Sequence, residues 1–331
     1  MSERKRILHV HVGPPKTGTS AIQHYFAGLN SGTITYPTTG RWPDGSHNML
    51  TFALAGTPNW GAIEIEPLPK LIRALSHELE AARGDVLISS EGFADPQTYR
   101  KFLARFEGPL ARFDRIVPIL VLRHPVERVA SLYNQAVKDA HLGETLLPDA
   151  YLERHISEHR LMPQVNRWRT NVSPETRFLP YAPAGTLLAR FCALLDQPAP
   201  EASDWRNRSL GGIGLALCLI GNRHLRRSEA RQGFLEALRA DGAIRLWHGP
   251  SFPFSAPATE RALQDVVRRD VAALFAQTGI DARAWERPDT IRLSDADRDQ
   301  IRAAAATHLP DSAAVREDVD RVIATLGGAS D

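Results

Sequence analysis

The sequence predicts an α/β fold, namely a doubly wound, mostly parallel sheet of about five strands flanked by helices, with a helical C-terminal extension. Two patterns lead to this prediction. Short apolar runs alternate with helical stripes over residues 7–195, which is typical of parallel strands joined by helical crossovers. After about residue 205 the periodicity is helical. We therefore expect a core over residues 1–210 and helices over 211–331, packed on the same domain or forming a separate one.

The first predicted unit is a strand, a glycine turn and a helix. Ile7 to Val12 is a short apolar run, and the helix after the turn carries an apolar stripe from Ala21 to Leu29. Further strands are expected at Thr33–Tyr36, Val86–Ser89, Ile116–Leu122 and Arg177–Tyr181. Pro118 interrupts the strongest of these, which predicts either a bulge there or a later start. Helices are expected at 47–54, 68–82, 125–137, 184–195, 209–224, 228–240 and 259–278, with two more after 294.

The composition is that of a soluble globular chain, with 43% hydrophobic and 24% charged residues. A net charge of +2 argues against nucleic acid or an acidic membrane as the partner of the whole protein. Cys192 and Cys218 lie in apolar helical stretches and are expected to be buried free thiols, which favours a reducing compartment. The N-terminus lacks a signal-peptide pattern, and the longest apolar run, Leu210 to Gly221, is too short for a membrane span. We expect a cytoplasmic protein without a transmembrane segment.

The turn over residues 13–20 reads Gly-Pro-Pro-Lys-Thr-Gly-Thr-Ser. A glycine turn between a strand and a helix directs backbone N–H groups at one point, and the helix dipole favours a bound phosphate there. Lys16 adds a full charge, and hydroxyl donors come from Thr17, Thr19 and Ser20. In an ATP-binding P-loop the lysine follows the second glycine. Here Lys16 precedes Gly18, which suits a shorter 5'-phosphate-type group.

Pro15 to Ser20, after an apolar strand, resembles the 5'-phosphosulfate loop of sulfotransferases that use 3'-phosphoadenosine-5'-phosphosulfate (PAPS), in their bacterial or carbohydrate-type branch. A second motif supports this resemblance. Arg123 ends a strong strand and Ser131 follows on the next helix, as in the family's 3'-phosphate element, whereas Arg128 is interpreted as a solvated helix residue. The resemblance covers about residues 7–210. It implies transfer of a sulfuryl group from PAPS to an acceptor hydroxyl, with PAP as the product and no metal ion.

Three residues are candidates for the general base that such a transfer needs. Glu91 is the first choice, because it follows a predicted strand and sulfotransferases of this branch carry a Ser-Ser-Glu-like segment there. A helix-capping carboxylate is the alternative interpretation of Glu91. His47 is the second choice and Asp44 the third, with a surface or helix-start role as the alternative for His47.

Two later segments resemble the family more loosely. Tyr181 lies in a Phe-Leu-Pro-Tyr segment similar to the one whose tyrosine faces adenine, although Tyr-Ala replaces the commoner Tyr-Glu. Arg206 and Arg208 fall in a segment similar to the one that closes over the nucleotide and are candidates for the 3'-phosphate. The Arg-Lys-Gly sequence of the animal cytosolic branch is missing, which argues against a hormone or xenobiotic enzyme.

These observations predict an in-line sulfotransferase. Lys16 and the turn bind the 5'-phosphate, Arg123 and Ser131 select the 3'-phosphate, and Glu91 accepts the proton of a sugar or glycolipid hydroxyl. The histidines show no metal-ligand spacing, so no metal is expected. Two alternatives stay open: a P-loop kinase, and a regulator that binds PAP or PAPS without catalysis.

Overall fold

The computed structural model describes residues 6–29, 34–198, 209–282 and 285–327. The chain divides into two compact units. The sheet unit comprises residues 1–123, 162–206 and 276–280, and the helical unit comprises 124–161, 207–275 and 281–331. In neither unit is any helix of the described chain long and apolar enough to cross a membrane.

Strands and helices follow one another along most of the described chain. The strands are β1 Ile7–His11, β2 Ile34–Thr35, β3 Asn59–Trp60, β4 Ile63–Glu64, β5 Asp85–Ser89, β6 Arg115–Leu122 and β7 Arg177–Pro180. The helices are α1 Thr19–Gly28, α2 Asn48–Ala55, α3 Leu68–Ala81, α4 Pro96–Arg105, α5 Glu107–Leu110, α6 Pro125–Lys138, α7 Pro148–His155, α8 Leu161–Asn171, α9 Ala184–Leu194, α10 Gly212–His224, α11 Ser228–Ala240, α12 Ala256–Ala262, α13 Val271–Thr278, α14 Asp295–His308 and α15 Ala313–Gly327.

Five strands form a parallel sheet in the order β2-β5-β1-β6-β7. Alternate residues of its strands enter two different cores, because successive side chains point to opposite faces. One core joins Leu8 and Val10 of β1 to apolar residues of α2, α3 and α4. The other joins Ile119 and Val121 of β6 to residues of α1 and α9. Helices thus cover both faces, and the predicted doubly wound α/β fold is confirmed.

Pro118 does not interrupt β6, contrary to both options that the sequence suggested. The strand runs from Arg115, and Pro118 pairs in regular register with Val10. The Val12 N–H donates to the Ile119 carbonyl at 2.9 Å, so the backbone groups of Ile119 face β1 and those of Pro118 face the opposite side. The β7 ladder starts only at Ile119. The missing N–H of Pro118 therefore removes no bond from either ladder.

The helical unit does not begin at the predicted boundary near residue 210. It also includes residues 124–161, which the sequence assigned to the core. The reason is the buried stripe of α6, which packs with α10, α14 and α15 in a single apolar cluster. Burial of this stripe stabilises the helical unit, because a helix of this length depends on packing of its apolar face.

The sequence missed several short elements. The hairpin of β3 and β4, α4, α5, α7 and α8 were not predicted, and the expected helix over 259–278 is interrupted by a π-helical segment, Leu263–Val267. Both cysteines are buried free thiols, as expected.

Candidate functional site

The turn after β1 has an unusual backbone at two positions. Lys16 has φ +68° and Gly18 has φ +83°. A left-handed conformation at a lysine is uncommon and carries strain, which the surrounding structure must offset. Gly18 is the N-cap of α1, and the Thr17 hydroxyl donates to the Pro14 carbonyl at 2.7 Å. The turn is thus fixed internally immediately before a helix N-terminus, an arrangement that favours anion binding.

At both glycines of the turn, neighbouring atoms leave no room for a side chain. A Cβ at Gly13 would lie 2.5 Å from the Thr19 methyl group, and a Cβ at Gly18 would lie 2.4 Å from Leu187. Thr17 and Thr19 are buried, whereas Lys16 and Ser20 are half-buried. The Thr19 Oγ1 meets no hydrogen-bond partner among the described residues. The hydroxyl groups that the sequence predicted as phosphate donors therefore differ in exposure, since the Thr19 side chain is buried next to Gly13.

Arg123 is held against the turn from the neighbouring strand. It follows β6, and its Nη1 donates to the Lys16 carbonyl at 2.9 Å. Its guanidinium carbon lies 4.3 Å from the centre of the Tyr181 ring. The Tyr181 N–H in turn donates to the Leu122 carbonyl at 2.8 Å. The structure therefore brings together Lys16, Arg123 and Tyr181, three residues that the sequence predicted from separate motifs.

The other predicted nucleotide contacts are Ser131, Arg206 and Arg208. Ser131 lies on α6 in the helical unit and is half-buried. Its role at a 3'-phosphate stays a prediction. Arg206 and Arg208 lie outside the described residues.

Glu91 follows β5, the strand on the other side of β1. It is the first residue of a short 3₁₀ helix, Glu91–Ala94, and is half-buried. The Ser90 N–H donates to the His11 carbonyl at 3.2 Å, and the Ser90 Oγ accepts the Gly92 N–H at 3.1 Å. These bonds fix the backbone on both sides of Glu91 beside the end of β1.

The segment before Glu91 is also tied to α2. The Ser90 hydroxyl donates to Asn48 Oδ1 at 2.6 Å and lies 2.8 Å from the Thr51 hydroxyl. A Cβ at Gly92 would lie 2.4 Å from that same Thr51 hydroxyl. The start of α2 therefore determines where the chain around Glu91 lies.

His47 is buried and bonded to the backbone, which differs from the surface location considered for it. Its Nε2 donates to the Pro37 carbonyl at 3.0 Å, so Nδ1 is the acceptor and receives the Ser89 N–H at 3.1 Å. Burial lowers the pKa of His47 to about 4. Because the lone pair of Nδ1 is engaged, this geometry favours a structural role. Asp44 is exposed and accepts the Ser46 N–H at 2.9 Å.

His11 is a residue of this region that the sequence analysis did not select. It is fully buried, its Nδ1 lies 2.8 Å from the Ser89 Oγ, and its ring packs edge-on against Phe191. Its Cε1 lies 3.1 Å from the position of a Cβ on Gly13. Burial lowers the pKa of His11 to about 3. His11 thus connects the turn over residues 13–20 to the strand that precedes Glu91. The sequence feature that could have identified His11 is the pair of histidines at alternating positions, 9 and 11, of an apolar strand.

Within the described ranges, no group of three or more His, Cys, Asp or Glu side chains is arranged to hold a metal ion. The polar groups at the ends of β1, β5 and β6 include backbone N–H groups, hydroxyls, the imidazoles of His11 and His124, and the side chains of Lys16, Arg123 and Glu91. Such a set can bind an anion and accept a proton.

No protein-family model matches the sequence, and no curated protein matches it significantly. Among solved structures, the chain is similar to a sulfotransferase from Alicyclobacillus acidocaldarius. That match covers 84% of this chain and 98% of the other, with 16% sequence identity and a TM-score of 0.47. At this level of similarity, neither the activity nor the roles of individual residues transfer to this chain.

Proposed function

We propose that this protein is a PAPS-dependent sulfotransferase. The observation that carries the proposal is the order β5-β1-β6 in the sheet. It puts Glu91 and Arg123 at the carboxyl ends of the two strands that flank the phosphate turn of β1. Ligands of open α/β sheets bind at this edge. Sulfuryl transfer from a doubly phosphorylated nucleotide requires a base, an anion-binding turn and a guanidinium group side by side.

In the proposed reaction the acceptor oxygen forms a bond to the sulfur of PAPS. The bond from sulfur to the bridging phosphate oxygen breaks, and PAP leaves with the electron pair. Glu91 accepts the proton of the acceptor hydroxyl. Lys16 and the N–H groups of the turn balance the charge that develops on the leaving oxygen. In this scheme, His47 and His11 position the segment around Glu91, while Thr17, Gly18, Thr19 and Ser20 complete the 5'-phosphate site.

Selection of PAPS over ATP is assigned to Arg123. Its fork of N–H donors suits a phosphate, and its contacts with Lys16 and Tyr181 limit its rotamers before a ligand arrives. Ser131, Arg206 and Arg208 are proposed as further 3'-phosphate contacts, and Tyr181 as an adenine contact. The acceptor is proposed to be a carbohydrate or glycolipid hydroxyl. A cytoplasmic location is proposed from the two buried free thiols.

Two alternative functions predict different ligands. A P-loop kinase needs a lysine after the second glycine, whereas residue 19 is a threonine. A regulator without catalysis would bind PAP but show no transfer.

Calorimetry with PAP, ATP, GTP and NAD tests the proposal. We expect PAP to bind in the presence of a chelator and ATP to bind far more weakly. Tight magnesium-dependent ATP binding without PAP binding would show that the chain is a kinase or another nucleotide enzyme. PAP binding without turnover of PAPS on any hydroxyl acceptor would favour the regulator.

A further inference from the structure

The sheet unit has an exposed tryptophan at the end of a row of three aromatic rings in contact. Trp60 of β3 is 59% exposed. Its ring lies nearly parallel to that of Phe52, with centres 4.9 Å apart and 11° between the planes. Phe52 in turn meets Trp42 edge-on at 5.5 Å. One face of the Trp60 indole is thus covered by Phe52, and the exposed area belongs to the rest of the ring.

The hairpin that carries Trp60 is short and exposed but fixed at its base. Trp60 pairs directly with Ile63, which is 38% exposed, so the two side chains lie on the same face of the hairpin. The Ile65 N–H donates to the Pro58 carbonyl at 3.0 Å and closes the hairpin. Because stacking on Phe52 already limits the rotamers of Trp60, a ligand that binds its open face has less side-chain entropy to overcome.

The aromatic row is continuous with the candidate active site through α2. Asn48, at the start of this helix, accepts a hydrogen bond from Ser90, the residue before Glu91. Phe52 lies one turn further along the same helix, and Trp60 stacks on it. A single helix therefore holds both the chain around the proposed base and the exposed aromatic surface.

We propose that Trp60 and Ile63 form a subsite for a pyranose ring of the acceptor. This inference rests on the proposed function and specifies the acceptor side of that site. A pyranose has a flat face of C–H groups that packs on an indole, and hydroxyls at its edge that need hydrogen-bond partners. Asn59 and Glu64 pair across the same hairpin, but their side chains lie on its other face, because successive side chains of a strand point to opposite sides. Glu64 disfavours an anionic membrane surface as the occupant, because anionic headgroups repel its carboxylate, whereas the charge of Glu66 is balanced by Lys70 at 3.2 Å.

The direct test is sugar binding followed by NMR of the tryptophan indole N–H groups. The chain has six tryptophans, and the signal lost in Trp60→Phe identifies that of Trp60. Methyl glucoside, methyl galactoside and cellobiose are titrated into the full chain to tens of millimolar, with and without PAP. We expect the Trp60 signal to shift with at least one of them. No shift with any of the three would overturn the inference, since packing on the C–H face does not depend on one sugar.

Variants then measure what the indole contributes. Trp60→Ala should weaken binding of the responding sugar about threefold to tenfold, and Trp60→Tyr should restore most of it, because an aromatic face contributes roughly 0.5–1.5 kcal/mol beyond its area. Phe275→Ala is the matched control, since Phe275 is 50% exposed and lies in the helical unit. An equal loss in Phe275→Ala would contradict a specific subsite.

Two further measurements separate this inference from the proposed function. PAP affinity, measured by calorimetry, should be the same in Trp60→Ala and in the unmodified chain. If PAP does not bind while the Trp60 signal shifts with sugar, the sulfotransferase proposal fails and the sugar site stands. A glycolipid in neutral vesicles should compete with the soluble sugar for Trp60 if it is the natural source of the ring. Binding to vesicles that lack sugar headgroups, without any soluble-sugar response, would identify a lipid surface and overturn the inference.

Discussion

In the helical unit, buried side-chain amides join one chain segment to another, whereas in the described part of the sheet unit several buried polar atoms near the turn over residues 13–20 meet no hydrogen-bond partner. Asn134 of α6 both donates to and accepts from the backbone of Leu210, at 2.9 Å each. Asn222 of α10 donates to the carbonyls of Val137 and Glu144. These side chains satisfy buried backbone groups in loops and thereby stabilise the packing of the helices.

The sheet unit places its buried polar atoms differently. Among the described residues, His11 Nε2, Thr19 Oγ1 and Gln23 Nε2 are buried without a hydrogen-bond partner. Thr19 and Gln23 lie one turn apart on α1, and both His11 and Thr19 contact Gly13. A buried polar atom without a hydrogen-bond partner lowers the stability of the fold. Such atoms are more common at functional sites than in a structural core. Thr259 Oγ1 and His308 Nε2, in the described part of the helical unit, are also buried without a hydrogen-bond partner, so the turn is distinguished by having three such atoms around it.

Of the changes predicted here, Glu91→Gln in the sheet unit should have the largest effect, and that effect is on turnover. The substitution keeps size and hydrogen bonding but removes the proton acceptor, so turnover should fall by about 10²–10⁴. PAP affinity should change little, since the role proposed for Glu91 is on the acceptor side. Steady-state rates with radiolabelled PAPS and calorimetry measure the two quantities. Glu107→Gln, at an exposed helix start, is the matched control and should be fully active. An active Glu91→Gln enzyme would exclude Glu91 as the base.

The next effect concerns stability and tests the contrast between satisfied and unsatisfied groups. Asn134→Leu removes both bonds to Leu210 and leaves its buried backbone groups unpaired, which should lower the free energy of unfolding by about 2–4 kcal/mol. Thr19→Val removes a hydroxyl that has no hydrogen-bond partner in the part of the chain that the structure describes, and should leave the free energy of unfolding unchanged or raised. Urea unfolding of both variants measures this. If Thr19→Val lost as much stability as Asn134→Leu, the Thr19 hydroxyl would be satisfied in solution and the contrast would fail.

Arg123→Ala should weaken PAP binding roughly tenfold to a hundredfold, the value of a charged hydrogen-bond partner. The loss should be smaller for AMP, which lacks a 3'-phosphate. Arg128→Ala, a half-buried arginine close by in sequence, is the control. Equal losses for PAP and AMP would mean that Arg123 acts only by holding the Lys16 carbonyl.

The smallest effect is a difference in acid sensitivity. Burial lowers the pKa of His9 to about 4, that of His11 to about 3 and that of His47 to about 4, all in the sheet unit. Between these values and about pH 6.5 the unfolded chain binds protons that the folded unit does not, so stability falls as the pH is lowered. In the helical unit, His159 also has a pKa lowered to about 4. Hydrogen exchange, corrected for intrinsic rates, should show β1 losing more protection than α10 from pH 7 to pH 5. Equal losses would contradict the pKa values.

The fold could be predicted in considerable detail because its signals are local. Apolar runs set the strands of the sheet, and the stripe of α6 or of α3 sets a helix whatever its neighbours are. The turn between β1 and α1 was also predictable, since glycine, lysine and hydroxyl residues between a strand and a helix form a contiguous pattern. The short β3–β4 hairpin escaped prediction because two-residue strands carry no periodicity.

The sequence by itself determined which residues have side chains suited to anion binding and proton transfer. Residue types and their spacing along strands and helices are local properties. Which of these residues meet was decided by the tertiary structure. Strand order puts Arg123 and Glu91 on the two strands beside β1, and the packing of Tyr181 on Arg123 joins segments about sixty residues apart. The same long-range packing buries His47, with its ring bonded to Pro37 and Ser89. Burial depends on contacts distant in the chain, and no local pattern distinguishes a buried histidine from an exposed one.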